Sequence, residues 1–482
     1  MFGQKYLLLK SLLASLLLLI FACQSETTIV KTANGEEEIS TDELLKIMGE
    51  TYLYGYPLVL MDLTKKVSTN IEQPHPVRSS APVNQLGHYR AFPDHTMRAV
   101  VKPNVDTYYS SAWLDLKNEP LVMSMPATER YYLLQLMDAY SNVFSSLGPR
   151  TTGKGAHNFL IAGPDWEGEI PEGMELIQAP TQLVWLLGRI QVNNPTDGAT
   201  TVKAIQDKMK LVPLSAYGAT NYTPPTGKVN ETYVNTIPVQ AIQDLDVNTY
   251  FNKMAEMMVE NPPKAADSVM LKKMAKIGLV AGEPFEMSTD NAILKLKLSR
   301  LPAFIHQRMN TLRTNPDTSE TTNGWSVPYD GIGTYGTDYK RRAYIDFVGL
   351  GANIPEDAVY PSCLFDVNGN RLIGQKRYHI HFDKDQLPPV NAFWSLTAYN
   401  EQDFLVKNEL NRFALGDRDN LIYNADGSLD LYIQSERPTE VPLENWLPVP
   451  ASGVFTLTFR LYWPKQEVLD GQWNIPFVVP VE

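Results

Sequence analysis

The spacing of apolar residues changes three times along this chain, and that succession constrains the fold more than any single motif. Apolar side chains recur at helical spacing over residues 40–67, where Ser40 and Glu43 have the spacing of a capping box. Short alternating stretches rich in aromatic and β-branched residues follow over 98–195, interrupted by glycine and proline. Helical spacing then returns, and alternation resumes towards the carboxyl terminus. The sequence therefore predicts an α+β multidomain fold.

The domain plan follows these changes of period. The chain has 482 residues, which is too long for one compact core and suits two or three domains. An amphipathic helix must bury its apolar stripe, so the first helix is expected to pack with the later helices as an all-α part. The predicted parts are a lipoprotein signal peptide at 1–23, a polar tether at 24–39, an N-terminal helix and irregular connection at 40–97, a first β-sandwich module at 98–195, a helical block at 196–324, and a C-terminal β-sandwich or jelly-roll module at 325–482.

The amino-terminal residues have the layout of a secretion signal. Two lysines precede an apolar run from Ser11 to Phe21, which is too short and too early for an ordinary membrane-spanning helix. The run ends in Ala22 and Cys23, which resembles the bacterial lipoprotein signal, in which a cysteine is lipidated after cleavage. The resemblance implies lipidation of Cys23 and anchoring at the outer membrane of the cell envelope, on its periplasmic or surface side. A plain signal peptide or an uncleaved anchor is the alternative.

The net charge argues against a nucleic-acid partner, and the cysteine content argues against stabilisation by a disulfide. The net charge is −12, and loss of two lysines with the signal would leave −14. Phosphate binding needs a basic face, so a nucleic-acid partner is not expected. With Cys23 lipidated, Cys363 is the only remaining thiol, which excludes an intramolecular disulfide. The membrane is expected as a partner only through the lipid anchor, and the β surface suits both a monomer and a symmetric homo-oligomer.

Polar residues alternate along two of the predicted strands of the first β module. The two sets are Asn104, Asp106 and Tyr108, and Asp138, Tyr140 and Asn142. The glycine-rich stretch "GPRTTGKG" follows the second set and carries Arg150 and Lys154, which suit an anionic or polyhydroxy ligand. If the two strands share a cavity, Asp106 and Asp138 are the candidates for a general acid and base. The alternative is that these residues cap turns, as Asp and Asn often do.

The stretch "HIHFD" contains the sharpest metal candidate in the sequence. His379, His381 and Asp383 would share one strand face, and two imidazoles with a carboxylate can bind zinc or iron. The H-x-H strand is similar to that of cupins, but no later histidine follows to complete their ligand set. A solvated strand face is the alternative, so neither a metal nor another cofactor is predicted. Cys363 has no histidine nearby in sequence and is expected to be a buried, inert thiol.

Several long, aromatic-rich stretches carry a family resemblance. The chain resembles domain of unknown function 1254 in "PNVDTYYSSAWLDL", "ERYYLLQLMDAYSNVFSSLGPRTTGKG", "IAGPDW" and "WLLGRI". It resembles domain of unknown function 1214 in "PPVNAFWSLTAYN", "DGSLDLYIQSERP", "NWLPVPASGVFTLTFRLYWP" and "GQWNIP". The two domains occur in this order in one bacterial envelope family. The resemblance implies three parts, one all-α and two β-sandwich-like, and almost nothing about activity.

Three functional hypotheses follow from these patterns. The leading one is that the first β module binds a small polar ligand such as a sugar or an organic acid, with hydrolysis of that ligand left open. The second is a non-catalytic envelope protein that binds a partner or assembles into an oligomer. The third is a metal-dependent jelly-roll enzyme that uses His379, His381 and Asp383. The sequence therefore does not decide whether the protein is an enzyme.

Overall fold

The structure is a computed structural model that describes residues 29–31, 38–98, 101–314, 321–327 and 331–481. Helices and several β-sheets are both present, which confirms the predicted α+β class. The chain divides into two compact units, each discontinuous in sequence. The described part of unit 1 comprises residues up to Leu63, Thr236–Arg313 and Gly336–Val348. That of unit 2 comprises Thr64–Asn235, the described residues within 314–335, and residues from Gly349 onward.

Longer helices are concentrated in unit 1 and strands in unit 2. In chain order the helices are α1 (Thr41–Ser68), α2 (Pro195–Asp197), α3 (Lys203–Lys208), α4 (Pro238–Gln243), α5 (Val247–Glu260), α6 (Ser268–Lys276), α7 (Ala292–Thr314), α8 (Tyr339–Gly349) and α9 (Gln466–Leu469). In chain order the strands are β1 (Ile29–Lys31), β2 (Glu38–Ser40), β3 (Gly87–His88), β4 (Thr107–Asp115), β5 (Leu121–Met125), β6 (Tyr132–Asp138), β7 (Val143–Leu147), β8 (His157–Ala162), β9 (Glu175–Gln178), β10 (Leu183–Gln191), β11 (Lys210–Pro213), β12 (Thr321–Thr322), β13 (Trp325–Ser326), β14 (Ala358–Val359), β15 (Ser362–Cys363), β16 (Arg377–Phe382), β17 (Val390–Asn400), β18 (Ala414–Gly416), β19 (Leu429–Gln434), β20 (Trp446–Pro448), β21 (Phe455–Pro464) and β22 (Val479–Val481).

Unit 1 is built around α1. The Ser40 hydroxyl accepts a hydrogen bond from the backbone N–H of Glu43 (3.1 Å), as the capping-box spacing predicts. Further along, α1 packs closely against α5, because a Cβ added at Gly55 would lie 2.3 Å from the sulfur of Met254. Gly55 therefore permits the close approach of the two helices, and the first helix shares a core with later ones. No helix among the described residues is both long enough and apolar enough to cross a membrane.

Unit 2 contains two β-sandwich modules. In the first, the sheet β3-β4-β10-β6-β7 packs on the sheet β11-β5-β8-β9 around one apolar core. In the second, the sheet β12-β13-β15-β21-β17-β18, with β14 added beside β21, packs on the sheet β20-β19-β16-β22 around another core. A smaller apolar cluster joins the modules, where Tyr131 and Leu133 of the first meet Phe393 and Tyr462 of the second. The outer face of β6 is therefore covered by the second module.

The observed boundaries differ from the predicted plan in three places. Residues 64–97, predicted to pack with the later helices, belong to unit 2, where β3 pairs with β4. Residues 196–235, predicted as part of the helical block, belong to unit 2, where β11 pairs with β5. The helix α8 forms where alternating strands were predicted, and most of it belongs to unit 1. Arg342 and Asp346 are both buried on α8. Charged residues at these inward positions interrupt the apolar stripe, so the helical period is hard to recognise in the sequence.

Candidate functional site

The first polar stretch begins as a loop and not as a strand. The predicted strand over residues 104–116 starts at Thr107 in the structure. Asn104 precedes it, and its side-chain oxygen accepts hydrogen bonds from the backbone N–H groups of Asp106 (2.7 Å) and Thr107 (3.2 Å). The shared strand face expected for Asn104, Asp106 and Tyr108 therefore does not form. Tyr108 instead points into the core of the first module.

Asp106 is held by residues of the second module. Its side chain is 1% exposed, and its carboxylate accepts hydrogen bonds from the Arg418 guanidinium and from the Ser395 hydroxyl (2.7 Å). Arg418 also donates to the backbone carbonyls of Asp106 (3.1 Å) and Val192 (2.7 Å). Sequence reasoning missed Arg418, although the charged run "GDRDN" in which it lies is a visible signal. The pair shows that Asp106 is a buried ionic contact between the modules.

Asp138 closes the turn between β6 and β7. Its carboxylate accepts hydrogen bonds from the backbone N–H groups of Tyr140 (2.9 Å) and Asn142 (2.9 Å), and from the Asn142 amide (3.1 Å). Ser141, inside the turn, has a φ of 64°. Asp138 thus binds the backbone two and four residues further along the chain. It caps a turn, which is the alternative given above for these polar residues.

The structure does not bring Asp106 and Asp138 together. Both β4 and β6 pair with β10, where Thr107 lies opposite Gln191 and Asp138 lies opposite Val184. At about 3.3 Å per residue, this register separates the two positions by roughly 23 Å along the sheet. The expectation that the two aspartates face each other is therefore wrong. Asp106 lies just before the start of β4, whereas Asp138 is the last residue of β6, and these two positions are at opposite ends of the sheet.

The two basic residues of the glycine-rich stretch each have a carboxylate partner. Arg150 contacts the buried carboxylate of Asp357 at 2.7 Å. Lys154 contacts Glu129 at 2.8 Å, and both side chains are largely exposed. Because each charge is already paired, neither residue is offered to an anionic ligand in this structure.

A different polar cluster lies on the face of β4 opposite to the core of the first module. We call the arginine–tyrosine cluster the residues Tyr109, Arg189, Tyr399, Arg460 and Tyr462. Tyr109 on β4 lies opposite Arg189 on β10, and the Arg189 Nε donates to its hydroxyl (3.3 Å). In the second module, Arg460 on β21 donates to the Tyr399 hydroxyl on β17 (2.5 Å). The cluster therefore draws side chains from both β modules.

The loop before β4 links the two sides of the arginine–tyrosine cluster. The Asn104 amide lies 3.4 Å from the Tyr109 hydroxyl and 2.7 Å from the Tyr462 hydroxyl. The Tyr399 hydroxyl donates to the backbone carbonyl of Pro103 (2.9 Å). Asn104, predicted from the sequence as a binding residue, thus lies at the centre of this cluster.

Both guanidinium groups of the cluster are buried among uncharged partners. Arg189 is 6% exposed and Arg460 is 4% exposed. Their hydrogen-bond acceptors are, for Arg189, the Tyr109 hydroxyl, Gln135 Oε1 and the Gly351 carbonyl, and, for Arg460, the Thr397 and Tyr399 hydroxyls and the Lys102 carbonyl. Neither forms an ion pair with a carboxylate of the described residues, and these bonds use about three of the five N–H donors of each group. The Asp106 carboxylate, which is ion-paired with Arg418, also attracts the Arg460 guanidinium at longer range. One buried carboxylate thus balances three guanidinium groups, and the region carries an excess of positive charge.

The excess positive charge changes the ionisation of its neighbours. Burial alone would raise the pKa of Tyr109, but the adjacent Arg189 guanidinium and the more distant Arg460 lower it overall. In the loop that carries Arg418, burial raises the pKa of Asp417 to about 6, although Arg418 opposes that rise. Negative charge is therefore favoured at Tyr109 alone among these groups, because burial also raises the pKa of Tyr399 and of Tyr462 despite the nearby Arg460.

The strand face that carries the weak metal candidates forms, but a different carboxylate lies beside the two histidines. His379 and His381 lie on one face of β16, but the carboxylate between them is Asp430 of β19, at 2.7 and 2.6 Å from the two rings. Asp383 follows β16 and lies 3.4 Å from the far nitrogen of His381. The expected set with Asp383 is corrected to one with Asp430, because strand pairing places Asp430 opposite His381.

Of the two cysteines, Cys363 lies within the described residues and Cys23 does not. Cys363 is fully buried in β15, and burial raises the pKa of its thiol to about 12, in agreement with an inert thiol. Cys23 lies outside the described residues, as do the whole predicted signal peptide and most of the predicted tether. Its lipidation stays a prediction.

Two family models match the chain in the predicted order. Residues 83–213 match the model described as Protein of unknown function (DUF1254), and residues 357–466 match the model described as Protein of unknown function (DUF1214). These matches confirm the resemblance and the order of the two domains. Tyr109 and Arg189 fall within the first match, and Arg460 falls within the second. The arginine–tyrosine cluster is therefore shared by the two domains.

Two solved structures, from Vibrio parahaemolyticus and Burkholderia cenocepacia, align with most of this chain. The VPA0106 protein from Vibrio parahaemolyticus has 22% sequence identity and a TM-score of 0.67, over 91% of this chain and 100% of that chain. An uncharacterised protein from Burkholderia cenocepacia has 13% identity and a TM-score of 0.43, over 92% of this chain and 95% of that chain. The first likeness shows a common fold, and the second is too low to support an argument. A search of curated proteins finds no match.

Proposed function

This chain is a DUF1254–DUF1214 protein, and we propose that its two domains together recognise a small organic anion through the arginine–tyrosine cluster. The observation that carries the proposal is the burial of Arg189 and Arg460 with uncharged acceptors only. A guanidinium binds carboxylate or phosphate through paired hydrogen bonds, and each of these two retains unused donors. An organic acid is therefore favoured over a neutral sugar.

The proposal is limited to binding. Hydrolysis by a general acid and base would need Asp106 and Asp138 to face each other, but they lie at opposite ends of the sheet. Asp106 is also engaged by Arg418, so its carboxylate is not available to a substrate. Recognition of an anion needs only the arginine–tyrosine cluster and the Asn104 amide beside it.

Thermal unfolding in the presence of small anions tests the proposal. Acetate, succinate, citrate and phosphate would be compared with glucose at constant ionic strength. A bound anion present at about 100 times its Kd would stabilise the protein by about 2.7 kcal/mol, and the Tm would rise accordingly. Equal small shifts with every anion would mean a general salt effect without a specific site, and would favour the second hypothesis, a non-catalytic interaction protein.

Substitutions separate binding at the cluster from binding elsewhere. Arg189→Met and Arg460→Met should each abolish the shift produced by the active anion, and Tyr109→Phe should weaken it while disturbing the fold less. Arg437→Met is the matched control, because Arg437 is 58% exposed and forms an ion pair with the exposed Glu409 at 3.2 Å. A shift that survives in both cluster variants would place the anion outside the cluster and refute the proposal.

We also propose that the chain is anchored to the outer membrane through lipidated Cys23, on the support of the sequence pattern that ends at this residue. Expression of the full chain with a labelled fatty acid tests it. The protein should carry the label and should be found in the membrane fraction. Cys23→Ser should lose both the label and the association with the membrane. Unlabelled protein in the membrane fraction would instead indicate an uncleaved anchor.

A further inference from the structure

The cluster of His379, His381 and Asp430 has the geometry of a metal site. The two histidines are two residues apart on β16 and therefore project from the same face. Asp430 lies directly opposite His381 on the antiparallel strand β19. One ligand atom from each residue lies within 4.8 Å of the other two. The set is composed of two imidazoles and a carboxylate, which are ligands that Zn²⁺ and related divalent ions accept.

Neighbouring residues fix the orientation of these ligand groups. The Asn424 amide donates to the second carboxylate oxygen of Asp430 (2.7 Å), which leaves the first oxygen directed at the two rings. The Tyr432 ring stacks on His379 with ring centres 5.5 Å apart. Hydrogen bonds and packing that hold metal ligands in place are characteristic of functional metal sites, since they reduce the cost of ordering the ligands.

The site is open on one side. The side chains of His379, His381 and Asp430 are 28%, 45% and 18% exposed, so an ion can reach them from solvent. Three protein ligands on a flat strand face leave at least one coordination position for water or another ligand. Both strands are in the interior of the four-stranded sheet, so the ligands stand on a rigid part of the fold.

We propose that His379, His381 and Asp430 bind one divalent transition-metal ion, with Zn²⁺ as the reference ion. This site lies on β16 and β19, and it does not involve any residue of the arginine–tyrosine cluster. Asp383, the carboxylate suggested by sequence proximity, is not one of its ligands. Metal binding at this site is therefore independent of anion recognition at the arginine–tyrosine cluster, and each is tested separately.

Calorimetric titration of the metal-stripped, untagged protein with Zn²⁺ tests the proposal. One ion per chain should bind with a Kd of about 1 μM or tighter. His379→Gln, His381→Gln and Asp430→Asn should each raise the Kd by about tenfold or more. Circular dichroism of each variant checks that the fold is retained, since all three side chains are at least partly exposed and their loss should be tolerated.

Asp383→Asn is the matched control, because Asp383 lies close to His381 but outside the proposed ligand set. Its Kd should equal that of the unchanged protein. Loss of binding in Asp383→Asn with retention in Asp430→Asn would overturn the assignment. Binding weaker than about 100 μM, or binding that is insensitive to all three ligand variants, would mean only adventitious contact with surface histidines. Co²⁺ as a second probe should give visible absorption that disappears in the same three variants.

Discussion

Removal of the Arg418 guanidinium should destabilise unit 2 much more than removal of an exposed one. Arg418→Met keeps a long side chain over the Phe393 ring, which the guanidinium now covers at 4.3 Å. It leaves the carboxylate of Asp106 buried, at 1% exposure, with the Ser395 hydroxyl as its remaining side-chain hydrogen bond. Breaking a buried ion pair by removing one partner costs about 3–5 kcal/mol, because the remaining charge has lost its compensation. We expect a loss within that range.

Urea denaturation measures this loss through the midpoint and the slope of the transition. Arg437→Met, which breaks an exposed pair with Glu409, should cost at most about 1 kcal/mol. The double variant Asp106→Asn with Arg418→Met should recover part of the stability, since it removes the uncompensated charge. If Arg418→Met and Arg437→Met proved equally mild, the inference that Asp106 is a buried, arginine-dependent charge would be refuted.

Three further predictions concern single side chains. Burial raises the pKa of Asp417 to about 6, so the native protein holds this proton more tightly than the unfolded chain does. The protonated carboxyl therefore contributes about 2 kcal/mol to the free energy of unfolding at pH 4, and this contribution should be lost as pH rises through 6. Asp417→Asn should remove this pH dependence of the free energy of unfolding. Asp138→Ala should lower the free energy of unfolding by about 3 kcal/mol, because buried donors of Asn142 and the turn lose a charged acceptor, and an unchanged urea midpoint would contradict this. Cys363 should resist thiol reagents in the native state and react only after unfolding, and rapid native labelling would show that it is not buried.

The features that sequence predicted well are those written in short stretches. The start of α1 follows from Ser40 and Glu43, and the hydrogen bond between them is present. Side chains alternate along a strand, which predicts that His379 and His381 share one face, and they do so in β16. Local alternation and capping act over a few residues, so a single sequence contains the information needed to recognise them.

The features that sequence missed depend on contacts between distant residues. Asp106 and Arg418 are 312 residues apart, and no local pattern identifies one as the partner of the other. Asp430 becomes a neighbour of His381 only through the register of β16 and β19. The alternation of Asn104, Asp106 and Tyr108 was misleading for the opposite reason, because a side chain that caps the start of a strand has the same spacing as a strand face.

The distance along the chain between Asp106 and Arg418 has a consequence for synthesis. The first β module leaves the ribosome well before Arg418, which is made 312 residues after Asp106. The first module is complete only when β11 has been made, and β11 ends at Pro213, 205 residues before Arg418. At about 5–20 residues per second, this interval lasts roughly 10–40 s. During it, the face of the first module that bears Arg189 and Tyr131 has no second module to cover it. The nascent chain therefore exposes a mixed apolar and cationic surface that a chaperone can bind, and completion of the second module closes that interval.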